Sequence, residues 1–220
     1  MEGKITYFEK QGEENTEVTF GIARKRAEEL GIKTILIAST RGNTAVKAVN
    51  YFGKGYNLVF VGHATGQRQP NVNEFTDENR AIVEKAGGKV LFAAHTFTGL
   101  TRRPTPPPTP GVPPTPLTGP ILELQDVIAA TLRMFCAGIK VVVEIAAPAA
   151  DAGLIRTDED IIAIAGSDRG ADTAVVMRAA NTRYIMQTRI KELLCKPLAP
   201  RMGPPPGAGA GAPAGAAAPH

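Results

Sequence analysis

Apolar residues along this chain fall into short β-branched runs separated by stretches with helical spacing. Residues 5–8 (Ile-Thr-Tyr-Phe) read as a first strand. Over residues 15–30 the positions Val18, Ile22, Ala23, Ala27 and Leu30 recur every three to four residues, which predicts a helix. Asn15 is placed to cap its start, and Gly31 to supply the left-handed stop. Residues 34–38 (Thr-Ile-Leu-Ile-Ala) form a continuous apolar run, as expected of a strand covered on both faces. A helix is predicted over 43–52, a buried strand over 58–61, and a helix over 77–86 capped by Thr76 and ended by Gly87-Gly88. A further strand is predicted over 90–93. Repeated strand–helix alternation of this kind predicts one three-layer α/β domain over residues 1–198, with a mostly parallel, doubly wound sheet.

After that the pattern breaks. Nine of the 18 prolines lie between Pro104 and Pro120, so residues from about 103 to 119 are expected to form an exposed polyproline-type insertion. Its Pro-x-x-Pro spacing could dock a partner, the alternative being a solvated loop. Gly119-Pro120 is expected to open a helix with the core stripe Ile121, Leu124, Ile128, Leu132 and Phe135. Val141-Val142-Val143, residues 161–164 and residues 173–177 read as strands, while 190–195 is ambiguous between a helix end and an edge strand. Residues 199–220 are Gly/Ala/Pro-rich with little side chain to bury, and are expected to be a disordered tail.

Composition adds exclusions. Lysines and arginines exceed acids by a net +4 but alternate with them, and aromatic residues make up only 5%, so nucleic-acid binding is not expected. The apolar stretch 139–150 is short and contains Lys140 and Glu144, which argues against a membrane span. Cys136 and Cys195 stand alone and far apart, without metal-ligand spacing. They fit a reduced, cytoplasmic protein better than a disulfide framework. A homo-oligomer stays open.

Four places could carry chemistry. The loop Ser39-Thr40-Arg41-Gly42-Asn43-Thr44 leaves a buried strand and opens a helix. Backbone N–H groups and the helix dipole face a ligand there, Gly42 allows close approach, and Arg41 can pair with phosphate oxygens. The bland alternative is a capped turn with no ligand; a Walker A ending is absent. The second place is Gly166-Ser167-Asp168-Arg169-Gly170-Ala171-Asp172-Thr173, read as a turn or as a lid. The third comprises His63, Thr65 and Gly66 together with His95, which follow two predicted strands and share an edge with the first loop if the sheet is parallel. Finally, Glu144, with Asp151 seven residues on, interrupts what reads as a buried strand, so its carboxylate needs a partner or a ligand crevice. His95 or Glu144 is the candidate for acid–base work, no catalytic residue being assigned, and no metal site is expected.

In order, the motifs Ile5-Thr6-Tyr7-Phe8, Glu14-Asn15-Thr16-Glu17, Ala38 through Ala45, and His95-Thr96-Phe97-Thr98-Gly99-Leu100 resemble the stand-alone pyruvate-kinase C-terminal-domain-like family. Val143-Glu144-Ile145, Ala150-Asp151-Ala152-Gly153 and Gly170-Ala171-Asp172-Thr173-Ala174 extend the resemblance to roughly residues 4–197. It implies the pyruvate-kinase C-terminal fold, phosphate at Ser39, Thr40, Gly42 and Thr44, and a lid at 166–173. It also implies flavin mononucleotide (FMN) as a ligand. The catalytic barrel of pyruvate kinase is absent, so phosphoryl transfer from phosphoenolpyruvate is not expected. The expected role is therefore binding of a phosphorylated small molecule. The rival roles are a flavin-dependent or other enzyme using His95 and Glu144, and a regulatory module docking through the proline-rich insertion.

Overall fold

The computed structural model describes residues 3–97 and 124–199. The proline-rich insertion, the start of the helix after Pro120 and the tail from residue 200 onward lie outside them. Among the described residues seven strands form one sheet in the order β1-β7-β6-β5-β2-β3-β4. They are β1 (Thr6–Phe8), β2 (Thr34–Ala38), β3 (Asn57–His63), β4 (Lys89–Ala93), β5 (Asp160–Ala165), β6 (Thr173–Arg178) and β7 (Arg189–Pro197). All neighbouring pairs are parallel except those made by β6, which runs antiparallel to both β5 and β7. The helices are α1 (Thr16–Leu30), α2 (Asn43–Phe52), α3 (Asp77–Lys85), α4 (Leu124–Arg133) and α5 (Ala137–Asp151).

The period-two alternation of strands divides the core into two layers. Ile35 and Ile37 of β2 point to the face where Phe20, Ala23 and Ala27 of α1 and Ala45, Ala48 and Phe52 of α2 are buried. Leu36 points to the other face, under Ile139, Val142 and Ala146 of α5. Helices therefore cover both faces, which is why β2 and β5 carry uninterrupted apolar runs. Each fully buried side chain of this kind contributes about 1.5–3 kcal/mol relative to exposure.

Most predicted elements appear within a residue or two of their expected bounds, including the Thr76 cap, whose hydroxyl accepts the Asn79 N–H, and the left-handed Gly31 stop. Four expectations are corrected. Val141, Val142 and Val143 lie in α5, not in a strand. That helix is apolar nearly all round because it is sandwiched against the sheet, and a short β-branched run cannot be told from a buried strand by period alone. Residues 190–195 belong to β7, which lies between β1 and β6 and is not an edge. Asn15 sits in a 3-10 turn (Glu13–Asn15) with helical backbone angles and makes no side-chain cap. On α1, Val18 and Leu30 are exposed and the buried positions are Thr16, Thr19, Phe20, Ala23 and Ala27; on α4, Leu124 is exposed, as is Phe135 just beyond its end.

Among the described residues no helix is long and apolar enough to cross a membrane.

Candidate functional site

The chain moves outward from β2 to β3 and β4, then returns to β5 on the opposite side of β2. In open α/β sheets ligands bind outside the carboxyl ends of the strands at such a reversal. Because β2, β3, β4 and β5 are mutually parallel, the loops after Ala38, His63, Ala93 and Ala165 all emerge on that edge.

The 39–44 loop is held from behind. Ser39 is buried; its N–H bonds the Val61 carbonyl at 3.0 Å, and its Oγ accepts the Ala45 N–H at 3.2 Å. Ser39 thus satisfies one of the open donors in the first turn of α2. Gly42 has φ +91°, and a Cβ there would lie 2.5 Å from the Asn79 Cβ and 2.7 Å from the Phe75 ring. Asn79 Nδ2 also donates to the Arg41 carbonyl at 2.9 Å and to Asn43 Oδ1 at 3.0 Å, so α3 props the loop. The N–H groups of Thr40, Arg41, Gly42, Asn43 and Thr44 meet no acceptor among the described residues. Arg41 and Asn43 are exposed, while the Thr44 side chain is buried.

His63 ends β3 beside this loop. Its Nε2 faces the Thr40 hydroxyl at 3.4 Å, and its Nδ1 lies 2.6 Å from Glu74 Oε2, whose other oxygen pairs with Arg68 Nε at 3.1 Å. In the tautomer that carries its proton on Nδ1, His63 donates to Glu74 and turns its Nε2 lone pair to the Thr40 hydroxyl. The His95 ring meets the His63 ring edge-on, with centroids 4.6 Å apart. Thr65 is exposed and accepts from Asn73 Nδ2, while Gly66 turns at φ +88°, its N–H bonding the Val72 carbonyl.

His95 in turn reaches α5. Its Nδ1 lies 3.6 Å from Glu144 Oε2, and Glu144, only 4% exposed, pairs with the equally buried Lys140 one turn earlier. Pro148 follows Glu144 by four residues inside α5 and has no N–H to offer the Glu144 carbonyl. The Thr96 hydroxyl takes that place at 3.1 Å, and the Phe97 N–H reaches Glu144 Oε1 at 3.4 Å. Three consecutive residues after β4 are thereby docked on one helical position. Asp151 is not part of this group. It ends α5 near Asn181 and Thr182, which follow the far end of β6, and the hydrogen bond from Thr182 chiefly holds its carboxyl below the ordinary range.

The 166–173 turn is bound to the protein itself. Asp172 is fully buried; its Oδ2 accepts the N–H groups of Gly12 at 3.1 Å and Ser167 at 3.2 Å, and Oδ1 accepts the Thr173 hydroxyl at 2.8 Å. Burial pushes this carboxyl above its ordinary value, against the pull of those donors. The Ala171 N–H bonds the Thr16 hydroxyl at 3.0 Å, and the Thr19 hydroxyl bonds the Ala171 carbonyl at 3.2 Å. Gly170 has φ +70° and packs so closely that a Cβ would lie 2.4 Å from Thr16 Oγ1. Gly166 faces the Gly170 carbonyl just as tightly. Only Asp168 and Arg169 at the tip are exposed. Arg169 helps lower the Glu13 carboxyl, an effect due mainly to Lys47 of α2, whose Nζ is 2.6 Å away.

The open N–H groups of the 39–44 loop and the Thr40 hydroxyl are donors of the kind that the phosphate end of FMN, the ligand implied by the resemblance, would need, whereas the Ser39 hydroxyl is taken by the Ala45 N–H and the Thr44 side chain is buried. Sequence reasoning missed Glu74, Glu13 and Lys47, which sit on loops or helix faces without periodic signal. It also missed the role of Lys140, whose i, i+4 spacing to Glu144 is a pairing signal only once the segment is read as a helix. Among the described residues no group of three or more His, Cys, Asp or Glu side chains is arranged to hold a metal ion. No protein-family model matches the sequence.

Proposed function

We propose that this domain binds a phosphorylated small molecule, in the cytoplasm, at the carboxyl ends of the strands, with FMN as the specific ligand suggested by the resemblance to the pyruvate-kinase C-terminal domain. The observation that carries the reading is the run of unbonded N–H groups from Thr40 to Thr44 at the start of α2, held open by Gly42 and backed by Asn79. Such a run attracts an anion through both hydrogen bonds and the helix dipole. Arg41 adds a cation at the rim, and Arg169 and Lys47 stand on the side of Glu13. Calorimetric titration with FMN and with inorganic phosphate tests the reading. Saturable binding that weakens about tenfold in Arg41→Ala is expected, since a charge-assisted hydrogen bond contributes about 1.5 kcal/mol. Absence of heat with FMN and with every sugar phosphate tried would sink it.

A second reading, an enzyme of unassigned reaction using His95 and Glu144 for acid–base work, is favoured by their 3.6 Å approach over the buried Lys140. His95→Gln and Glu144→Gln, assayed for binding and turnover separately, discriminate it. Loss of turnover with binding kept supports chemistry, and parallel loss of both does not.

A further inference from the structure

Thr40, His63 and Glu74 stand in the order hydroxyl, imidazole, carboxylate, with 3.4 Å from Oγ1 to Nε2 and 2.6 Å from Nδ1 to Oε2. This is the arrangement by which an otherwise weak hydroxyl nucleophile is activated: a base on the hydroxyl and a third group orienting the base. The hydroxyl distance is long, as is common before a substrate draws the groups together. His63 and Glu74 are partly shielded, with side chains 23% and 13% exposed, so the pair is neither sealed in the core nor diluted in solvent. The three residues come from different segments: the exit of β2, the end of β3, and the connection before α3. Capping α2 does not require them, because Ser39 already serves that end. Thr40 is also the first residue of the open N–H run, so a group attacked by its oxygen would be flanked by donors placed to receive developing negative charge.

We propose that Thr40 is a nucleophile, with His63 as its base and Glu74 as the residue that positions His63, and that the substrate class is a phosphate monoester. The proposal rests on the phosphate reading of the 39–44 loop. In the first step a Thr40 Oγ–phosphorus bond forms as the phosphorus–oxygen bond to the leaving alcohol breaks. The Thr40 proton passes to His63 Nε2 and from there to the departing oxygen. In the second step a water oxygen bonds to phosphorus and the Thr40 Oγ–phosphorus bond breaks. The water's proton passes through His63 back to Thr40, and inorganic phosphate is released. His95, edge-on to His63, is placed to steady the ring that changes charge.

The full chain is incubated with p-nitrophenyl phosphate and, separately, with FMN. Nitrophenolate and riboflavin release are followed, and acid-quenched protein is digested and searched for phosphothreonine. The expected result is turnover, with phosphate on the peptide that contains Thr40. Thr40→Val should lower turnover at least about 100-fold and abolish the label, Thr40→Ser should restore both, and His63→Gln should cost about 100-fold or more. Glu74→Gln should lower kcat with KM unchanged, with partial rescue by Glu74→Asp. Circular dichroism confirms that each variant is folded. Wild-type protein that binds phosphate or FMN intact without turnover or label overturns the nucleophile and leaves the binding reading standing. Turnover that Thr40→Val retains overturns Thr40 alone. Failure to bind either ligand overturns both.

Discussion

The two loops that follow the neighbouring strands β2 and β5 are similar in composition and opposite in what they do with it. The 39–44 loop keeps five consecutive N–H groups unbonded among the described residues, while the 166–173 turn is tied through Asp172 and Ala171 to Gly12, Thr16 and Thr19 and leaves only its tip, Asp168 and Arg169, exposed. Both contain a left-handed glycine, but Gly42 is crowded by side chains and Gly170 by the backbone of Glu13 as well. A loop rich in Gly, Ser, Thr and Asp is therefore not in itself a ligand loop. What separates the two is whether another segment of the protein has already supplied the acceptors and donors.

The comparison is broken most strongly at Gly170. Gly170→Val places a β-branched side chain at φ +70° with its Cβ 2.7 Å from the Glu13 Cα. It should cost about 3 kcal/mol or more, seen as a large drop in Tm or loss of folded protein. Asp172→Ala should cost about 2 kcal/mol in denaturant melts, since three donors lose their buried acceptor. Asp172→Asn sharpens the point through pH. Burial raises the folded carboxyl, so its contribution is full below the ordinary 3.8 and is lost as pH rises through the raised folded value. As pH rises above the ordinary carboxylate range the stability difference should therefore move in favour of the Asn variant, which does not titrate. Ser39→Ala should cost about 1 kcal/mol, the loss of a helix-start acceptor. The smallest effect on stability is expected at the ligand-facing side. Thr40→Val should change unfolding free energy by no more than about 0.5 kcal/mol while weakening phosphate in calorimetry. A stability loss there as large as at Asp172 would mean that the two loops are built alike.

Much of the fold was legible. Strands β2, β3 and β5 announce themselves as apolar β-branched runs because both faces are covered, and Gly31 and Thr76 mark helix ends through local backbone chemistry that needs no distant partner. Elements failed where local pattern and tertiary role diverge. A helix buried on nearly all sides, such as α5, loses the polar stripe that identifies helices, and its three valines imitate a strand. That misreading also hid Lys140, since a lysine four residues before Glu144 faces it only on a helix. Strand β7 looked peripheral because its alternation is weak, yet the late return of the chain inserts it between β1 and β6.

The sequence by itself determined the element types, the two-sided covering of the central strands, and the coincidence of Ser39, His63, His95 and Gly166 with strand ends. Those properties follow from side-chain period and turn chemistry, which act over a few residues. Only the tertiary structure decided which strand ends are neighbours, that Glu74 lies against His63, that Thr96 occupies the hydrogen bond Pro148 leaves open, and that Asp172 belongs to the scaffold. Such contacts join residues far apart in the chain. Hydrogen-bond satisfaction depends on what the completed fold brings within about 3 Å.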